Sequence, residues 1–185
     1  MTQLRRPSRD ELDAATGRTM PDVIAPRLRV LFCGINPSLY SAVVGYHFAR
    51  PGNRFWPTLH AAGITPRTFL PTEQDALLAL GYGITNVVDR ATATADLLAP
   101  GELERGARSL EAKVARYQPR CLAVLGVSAY RTAFGRPKAA LGPQPERMGD
   151  TRLWVLPNPS GLNAHYQLEA LGQLFSELRR AVEQD

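Results

Sequence analysis

The sequence predicts an α/β fold with a short, mainly parallel, four-stranded central sheet covered on both faces by helices. Two observations predict it. Residues 28–35, 83–88, 121–125 and 153–156 are continuous apolar runs, the pattern of strands buried on both faces. Residues 54–62, 73–80, 102–117, 128–134 and 168–182 space their apolar residues as helices do. Strands alternating with helices argue for parallel strands joined by helical crossovers.

Taken in order, residues 1–21 form a polar N-terminal arm, and residues 22–185 form a single domain. In the arm, Ser8 with Glu11 three residues later reads as a capping box opening a short helix that Gly17 ends. The first strand runs into Gly34-Ile35-Asn36-Pro37-Ser38. Residues 50–53, with Pro51 and Gly52, read as a surface loop, and Asn53-Arg54-Phe55-Trp56 as a helix start with Phe55 and Trp56 as packing residues. The second strand ends at Asp89-Arg90. The Pro- and Gly-rich stretch 136–150 reads as a loop, and the fourth strand leads into Asn158-Pro159-Ser160-Gly161-Leu162.

A chain of 185 residues fits one domain, and no apolar stretch reaches the roughly 18 residues a membrane-spanning helix needs. The charged first 22 residues lack the apolar segment of a secretory signal, so a cytoplasmic monomer with no membrane association is expected. Cys33 and Cys121 each fall inside a strand and read as buried free thiols; His47, His60 and His165 are scattered. No metal and no cofactor are expected. The net charge is +5, and of 22 basic residues only Lys113 and Lys138 are lysines. Arginine binds phosphate in a bidentate manner, which favours a polyanionic partner. Codon bias would give the same richness, so charge alone decides nothing.

In parallel sheets the ligand sits at the carboxyl ends of the strands. Three polar clusters converge there: Asn36-Pro37-Ser38, Asp89-Arg90 and the segment 158–162. Pro37 forces Asn36 out of the helical region, and an amide fixed in that way can hold a water or read a base edge. A plain turn uses Asn-Pro as well. Leu162 is an apolar tip on a polar loop, suited either to a wedge in a base stack or to a staple against the protein body. Asp89 can assist a water or stabilise a developing positive charge; capping a helix and pairing with Arg90 are the alternatives. Gly126-Val127-Ser128 follows a strand, but Tyr130 breaks the Gly-x-Ser-x-Gly elbow, and no Gly-rich nucleotide-binding fingerprint occurs.

The pair Gly34-Ile35-Asn36-Pro37-Ser38 and Asn158-Pro159-Ser160-Gly161-Leu162 resembles the mismatch-specific uracil and thymine DNA glycosylases, a branch of the uracil-DNA glycosylase superfamily. The likeness continues through residues 45–56, which include Phe48, and 83–90, and covers about residues 22–178. It implies a three-layer α/β/α sandwich that extrudes uracil, chiefly from G·U mispairs in double-stranded DNA, and hydrolyses its bond to deoxyribose. Thymine and other damaged pyrimidines are further substrates under that likeness. It implies that Asn36 orients the attacking water and that Phe48 stacks on the extruded base. Ile35, with Tyr40 or Ser41, would bind the base edge. Asn158, Pro159 and Ser160 would contact DNA, and Gly161-Leu162 would form the wedge facing the widowed guanine.

Three departures matter. Other members of the superfamily carry an acidic residue where this chain has Asn36 and a histidine near where it has Asn158, so slow chemistry and a preference for good leaving groups are expected. A basic residue is expected shortly after the wedge leucine; here Asn163-Ala164-His165 follows, leaving His165 for the role. Ser38 stands where a glycine is commoner. A lesion sensor that binds without cleaving is the competing reading of so mild a site.

Overall fold

The computed structural model describes residues 4–184. Its elements are α1 (Arg9–Ala14), β1 (Val30–Gly34), α2 (Leu39–Val44), α3 (Phe55–Ala61), α4 (Ala76–Ala79), β2 (Tyr82–Asn86), α5 (Pro100–Tyr117), β3 (Cys121–Leu125), α6 (Val127–Ala133), β4 (Gly142–Met148), β5 (Thr151–Leu156) and α7 (Leu168–Glu183). The sheet has five strands in the order β2-β1-β3-β5-β4. The first four are mutually parallel, and β4 pairs antiparallel with β5.

The expectation of four strands is therefore corrected to five: β4 lies inside the stretch expected to be a loop. Its sequence, Gly-Pro-Gln-Pro-Glu-Arg-Met, lacks an apolar period because it is an edge strand whose residues alternate between half-buried and exposed. Proline removes a ladder donor and is tolerated only at such edges, and the register shifts between Pro143 and Arg147. Two helices also differ. The stretch 73–80 holds only the four-residue α4 after a short 3₁₀ turn at Pro71–Glu73, and α2 had no periodic signal because its six residues bury only Ser41.

Alternation along the buried strands makes the layers. Phe32, Ile84, Ala123 and Leu156 join one core with Phe55 and Leu59 of α3 and Phe175 and Leu178 of α7. Leu31, Cys33, Val124 and Val155 join the other with Leu110 and Val114 of α5 and Tyr130 of α6. The helix positions match the 3.6 period: Leu171, Phe175, Leu178 and Val182 form one stripe of α7. The ion pair of Lys113 with Asp22 (2.6 Å) adds a tie between α5 and the start of the domain, and Lys113 also donates to Thr85 Oγ1 (2.8 Å).

The arm is fastened to this body. The capping box forms as expected, with Glu11 N donating to Ser8 Oγ and Ser8 N to the Glu11 carboxylate. Beyond it Ala15 is fully buried, Gly17 N donates to Ala91 O, and Ala91 N donates to Arg18 O.

A Cβ at position 106 of α5 would lie 2.2 Å from the carbonyl oxygen of Val87, at the end of β2. Alanine is better than glycine inside a helix by about 1 kcal/mol, but overpacking costs about 1–3 kcal/mol, so the clash decides the sign. Gly106→Ala is expected to lower the urea midpoint. Gly101→Ala in the same helix meets only the flexible Arg105 side chain and is expected to leave it unchanged or raise it.

Candidate active site

A cleft of about 400 Å³ opens at the carboxyl edge of the sheet, walled by the segments that leave β1, β2 and β5. Beyond β1 and β2 the chain keeps pairing. Val87 N donates to Gly34 O, Val88 N to Ile35 O and Thr92 N to Pro37 O, with a parallel bridge between Ser38 and Thr92. This continuation sets Asn36 beside residues 90–92.

Asn36 Nδ2 donates to Arg90 O (3.0 Å) and to Thr92 Oγ1 (2.7 Å). A carbonyl only accepts, and the single hydroxyl hydrogen of Thr92 is committed to Thr94 O at 2.8 Å. Both neighbours must therefore receive from the amide, which assigns its orientation. The Asn36 Oδ1 is left without a protein partner among the described residues, on a side chain that lines the cleft. An acceptor held there can orient a water; it cannot take a proton strongly. Arg90 is itself held, its guanidinium gripping Glu102 through Nε (2.6 Å) and Nη2 (2.9 Å). That pairing and the Ala99 backbone amide pull the Glu102 carboxyl down to about 2.

Phe48 forms a second wall. Its ring stacks on Phe55 with centroids 4.1 Å apart, and it lines the cleft. Its backbone lies in the left-handed region at φ 53°, a conformation costing roughly 1 kcal/mol for a non-glycine residue. Neighbours hold it there. Trp56 Nε1 donates to His47 O, His47 N donates to Gln74 Oε1, and Ala49 N donates to Ser41 Oγ. Ser38 caps α2 by accepting from Ser41 N. His47 also lines the cleft and is buried. Its Nε2 donates to Pro21 O (2.9 Å), so the neutral ring carries its proton there, and burial lowers its pKa below the usual 6.5.

The segment 158–166 supplies the third wall. Asn158 Oδ1 accepts from Ser160 N, Ser160 Oγ accepts from Leu162 N, and Asn163 Nδ2 donates to Asn158 O. Arg54 clamps this loop from the α3 side. Its backbone N–H donates to Pro159 O, and its guanidinium donates to the carbonyls of Gly161, Asn163 and Tyr166. Leu162 projects at the top with 68% of its surface exposed. A Cβ on Gly161 would lie 2.6 Å from the Gly52 oxygen, so this position admits only glycine without movement.

Of the residues singled out from sequence, Ile35, Asn36, Ser41, Phe48, Asn158, Ser160 and Leu162 line this cleft, with Pro159 and Gly161 buried or packed in its loop. Three others stand apart. Asp89 is exposed and does not line the cleft, and Arg90 pairs with Glu102 instead of with it. Tyr40 faces an adjoining groove, its hydroxyl donating to Arg5 O. His165 is exposed and does not line the cleft.

The structure adds Thr92, Arg54 and Asn86. Asn86 is 5% exposed, lines the cleft, and sits so near Gly34 that a Cβ there would lie 2.6 Å from its Oδ1. A polar residue closing an otherwise apolar strand was the available signal for Asn86. Arg54 and Thr92 offered none, because their partners lie far away in sequence. Among the described residues, no group of three or more His, Cys, Asp or Glu is placed to hold a metal ion.

A family model described as Uracil DNA glycosylase superfamily matches residues 21–183. Among solved structures, the chain is similar to a solution NMR structure from Methanosarcina acetivorans, described provisionally as a uracil DNA glycosylase. The two share 20% identity over 88% of this chain and 98% of the other, with a TM-score of 0.58. That likeness establishes the fold.

The depressed pKa of His47 has a consequence for stability. Protonation is disfavoured in the folded state, so its contribution is complete above the ordinary histidine value of about 6.5 and is lost as pH falls below it through the lower folded-state pKa. Glu11, Glu73 and Glu102 are held near 2, so theirs are lost only on the acid side of the ordinary carboxylate range. The unfolding free energy from urea titrations is expected to decline from pH 7 to pH 5.5, by at most about 1.4 kcal/mol per pH unit for one group, and His47→Gln to flatten that slope.

Proposed function

Because the chain belongs to the uracil DNA glycosylase superfamily, we propose that it is a monofunctional glycosylase that excises uracil from double-stranded DNA, chiefly opposite guanine. The observation that carries this reading is the Asn36 amide, which lines the cleft and whose two hydrogens are spent on Arg90 O and Thr92 Oγ1, leaving its oxygen as the free acceptor.

The proposed reaction starts with extrusion of the uracil nucleotide, which costs a few kcal/mol and is easiest at a mispair. The base stacks on the open face of Phe48, the other face being covered by Phe55. The Asn86 amide offers both a donor and an acceptor to the pyrimidine edge. The bond between C1′ and N1 then lengthens, its electron pair leaving with the base as an anion while positive charge develops on the sugar. A water accepted by Asn36 Oδ1 adds its oxygen to C1′ and loses a proton to solvent, and the base is protonated on release. Leu162 fills the space left in the stack.

An amide orients the water without accepting its proton, so rate depends on how well the base carries negative charge. That supports excision of uracil and of pyrimidines with electron-withdrawing substituents ahead of thymine. Pairing with guanine enters through extrusion, since a G·U pair opens more readily than one with Watson–Crick geometry.

Single-turnover cleavage of a G·U duplex, read as alkali-labile abasic sites, tests the proposal. Asn36→Ala is expected to slow release by roughly 10²–10³, the usual loss for one preorganised polar group at a reacting centre. Thr92→Val keeps the side-chain shape but frees the amide to rotate, and is expected to cost about tenfold, one net hydrogen bond. Asp89→Ala is expected to keep the wild-type rate. Tight binding of the duplex with no uracil release by wild type would overturn the glycosylase reading in favour of a lesion sensor.

A further inference from the structure

A second groove, of about 550 Å³, opens from the mouth of the cleft and runs between α2 and the N-terminal arm. The two share Ser38, Arg50, Thr94 and Leu162, so they are continuous. Its far wall is Arg6 and Pro7 of the arm, and its floor includes Tyr40. The arm is held in place by burial of Ala15, by the bonds of residues 17–18 to Ala91, and by the Tyr40 hydroxyl on Arg5 O.

Charge along this groove is unspent. Arg5 is committed to Glu11 at 2.6 Å, but Arg6 and Arg50 are exposed and their guanidinium groups have neither ion pair nor hydrogen bond among the described residues. No carboxylate lines the groove. Two free guanidinium groups and an aromatic ring lining one groove are the chemistry suited to a nucleic-acid backbone.

We infer that the N-terminal arm is a strand clamp: Arg6 and Arg50 hold phosphates of the DNA strand that carries the extruded nucleotide, on one side of it. The inference rests on the glycosylase reading. A nucleotide turned into the cleft leaves its sugar at the mouth, where Leu162 stands, and its strand must depart along the surface. The groove starts at that mouth. The family model begins at residue 21, so Arg6 lies ahead of the stretch shared with the superfamily and adds a contact that the shared domain lacks. The clamp contributes affinity and register, and the chemistry stays with Asn36.

The test is binding of the full chain to a duplex carrying a tetrahydrofuran abasic analogue opposite guanine, measured across a salt series, beside single-turnover release from a G·U duplex. Each phosphate contact contributes about 0.9 to the slope of log affinity against log salt. Arg6→Ala is expected to reduce that slope by about 1 and to weaken binding roughly fivefold at 100 mM salt, with an unchanged rate at saturating enzyme. Arg120→Ala removes the same charge just ahead of β3, at the opposite edge of the sheet, and is expected to keep the wild-type slope. Duplexes shortened on one side of the lesion should lose the Arg6 effect for one side only. If wild type excises uracil and Arg6→Ala keeps its slope and affinity, the clamp falls and the glycosylase reading stands. If Arg120→Ala lowers the slope equally, the effect is diffuse charge and the clamp again falls. If wild type releases no uracil, the parent reading falls and takes the clamp with it.

Discussion

An amide turned by 180° exchanges an acceptor for a donor, and the neighbours of Asn36 satisfy only one of the two orientations. The Asn36 side chain is held in it by a carbonyl and a hydroxyl from a segment that follows a different strand. That arrangement depends on β1 and β2 being parallel neighbours whose pairing continues past their ends. It depends further on Arg90 staying in place, which the Glu102 pair and the Thr19 bridge both enforce. Each of these bonds is worth about 1 kcal/mol in net stability. Their larger effect is on orientation, since the rest of the site is arranged around the one oxygen they leave free.

The parallel strands were legible because burial on both faces demands continuous apolar runs, and residues 121–125 coincide with β3. The edge strand β4 was not, because one-sided burial at an edge tolerates Pro143 and Pro145 and leaves no period to detect. In the site, Asn36, Phe48 and Leu162 stood in quotable motifs. Their supports did not. Thr92 lies 56 residues from Asn36, and Arg54 lies 109 from Asn163, distances at which local patterns carry no information. Asp89 ends a predicted strand on the expected edge, yet the strand finishes at Asn86 and the chain has turned outward by position 89.

Phe48 and the wedge loop share a second constraint, which is rigidity. The loop at 50–53 and the loop at 158–166 approach so closely at Gly52 and Gly161 that a methyl group would collide, and Arg54 ties them together through carbonyls of the second loop. Phe48 pays in backbone strain for its place over Phe55, and the bonds to His47 and Ala49 hold it there. Leu162 and Phe48, mounted on one rigid unit, keep a fixed separation. On the proposed reading, an extruded base meets both without the ordering cost that flexible loops would impose.

The distribution of charge completes the picture. Close to Asn36 the cleft presents amides, hydroxyls, an aromatic ring and a neutral imidazole, and its lining carboxylate, Asp96, is exposed at the rim. Free arginines stand at the mouth and beyond it. On the proposed reading, such a site separates two tasks: guanidinium groups supply attraction for a polyanion over a broad surface, and neutral groups handle the reacting atoms. A neutral centre does not pull strongly on any glycosidic bond. Selectivity on that reading falls on what the substrate brings, namely how easily its base leaves the stack and how well it bears negative charge.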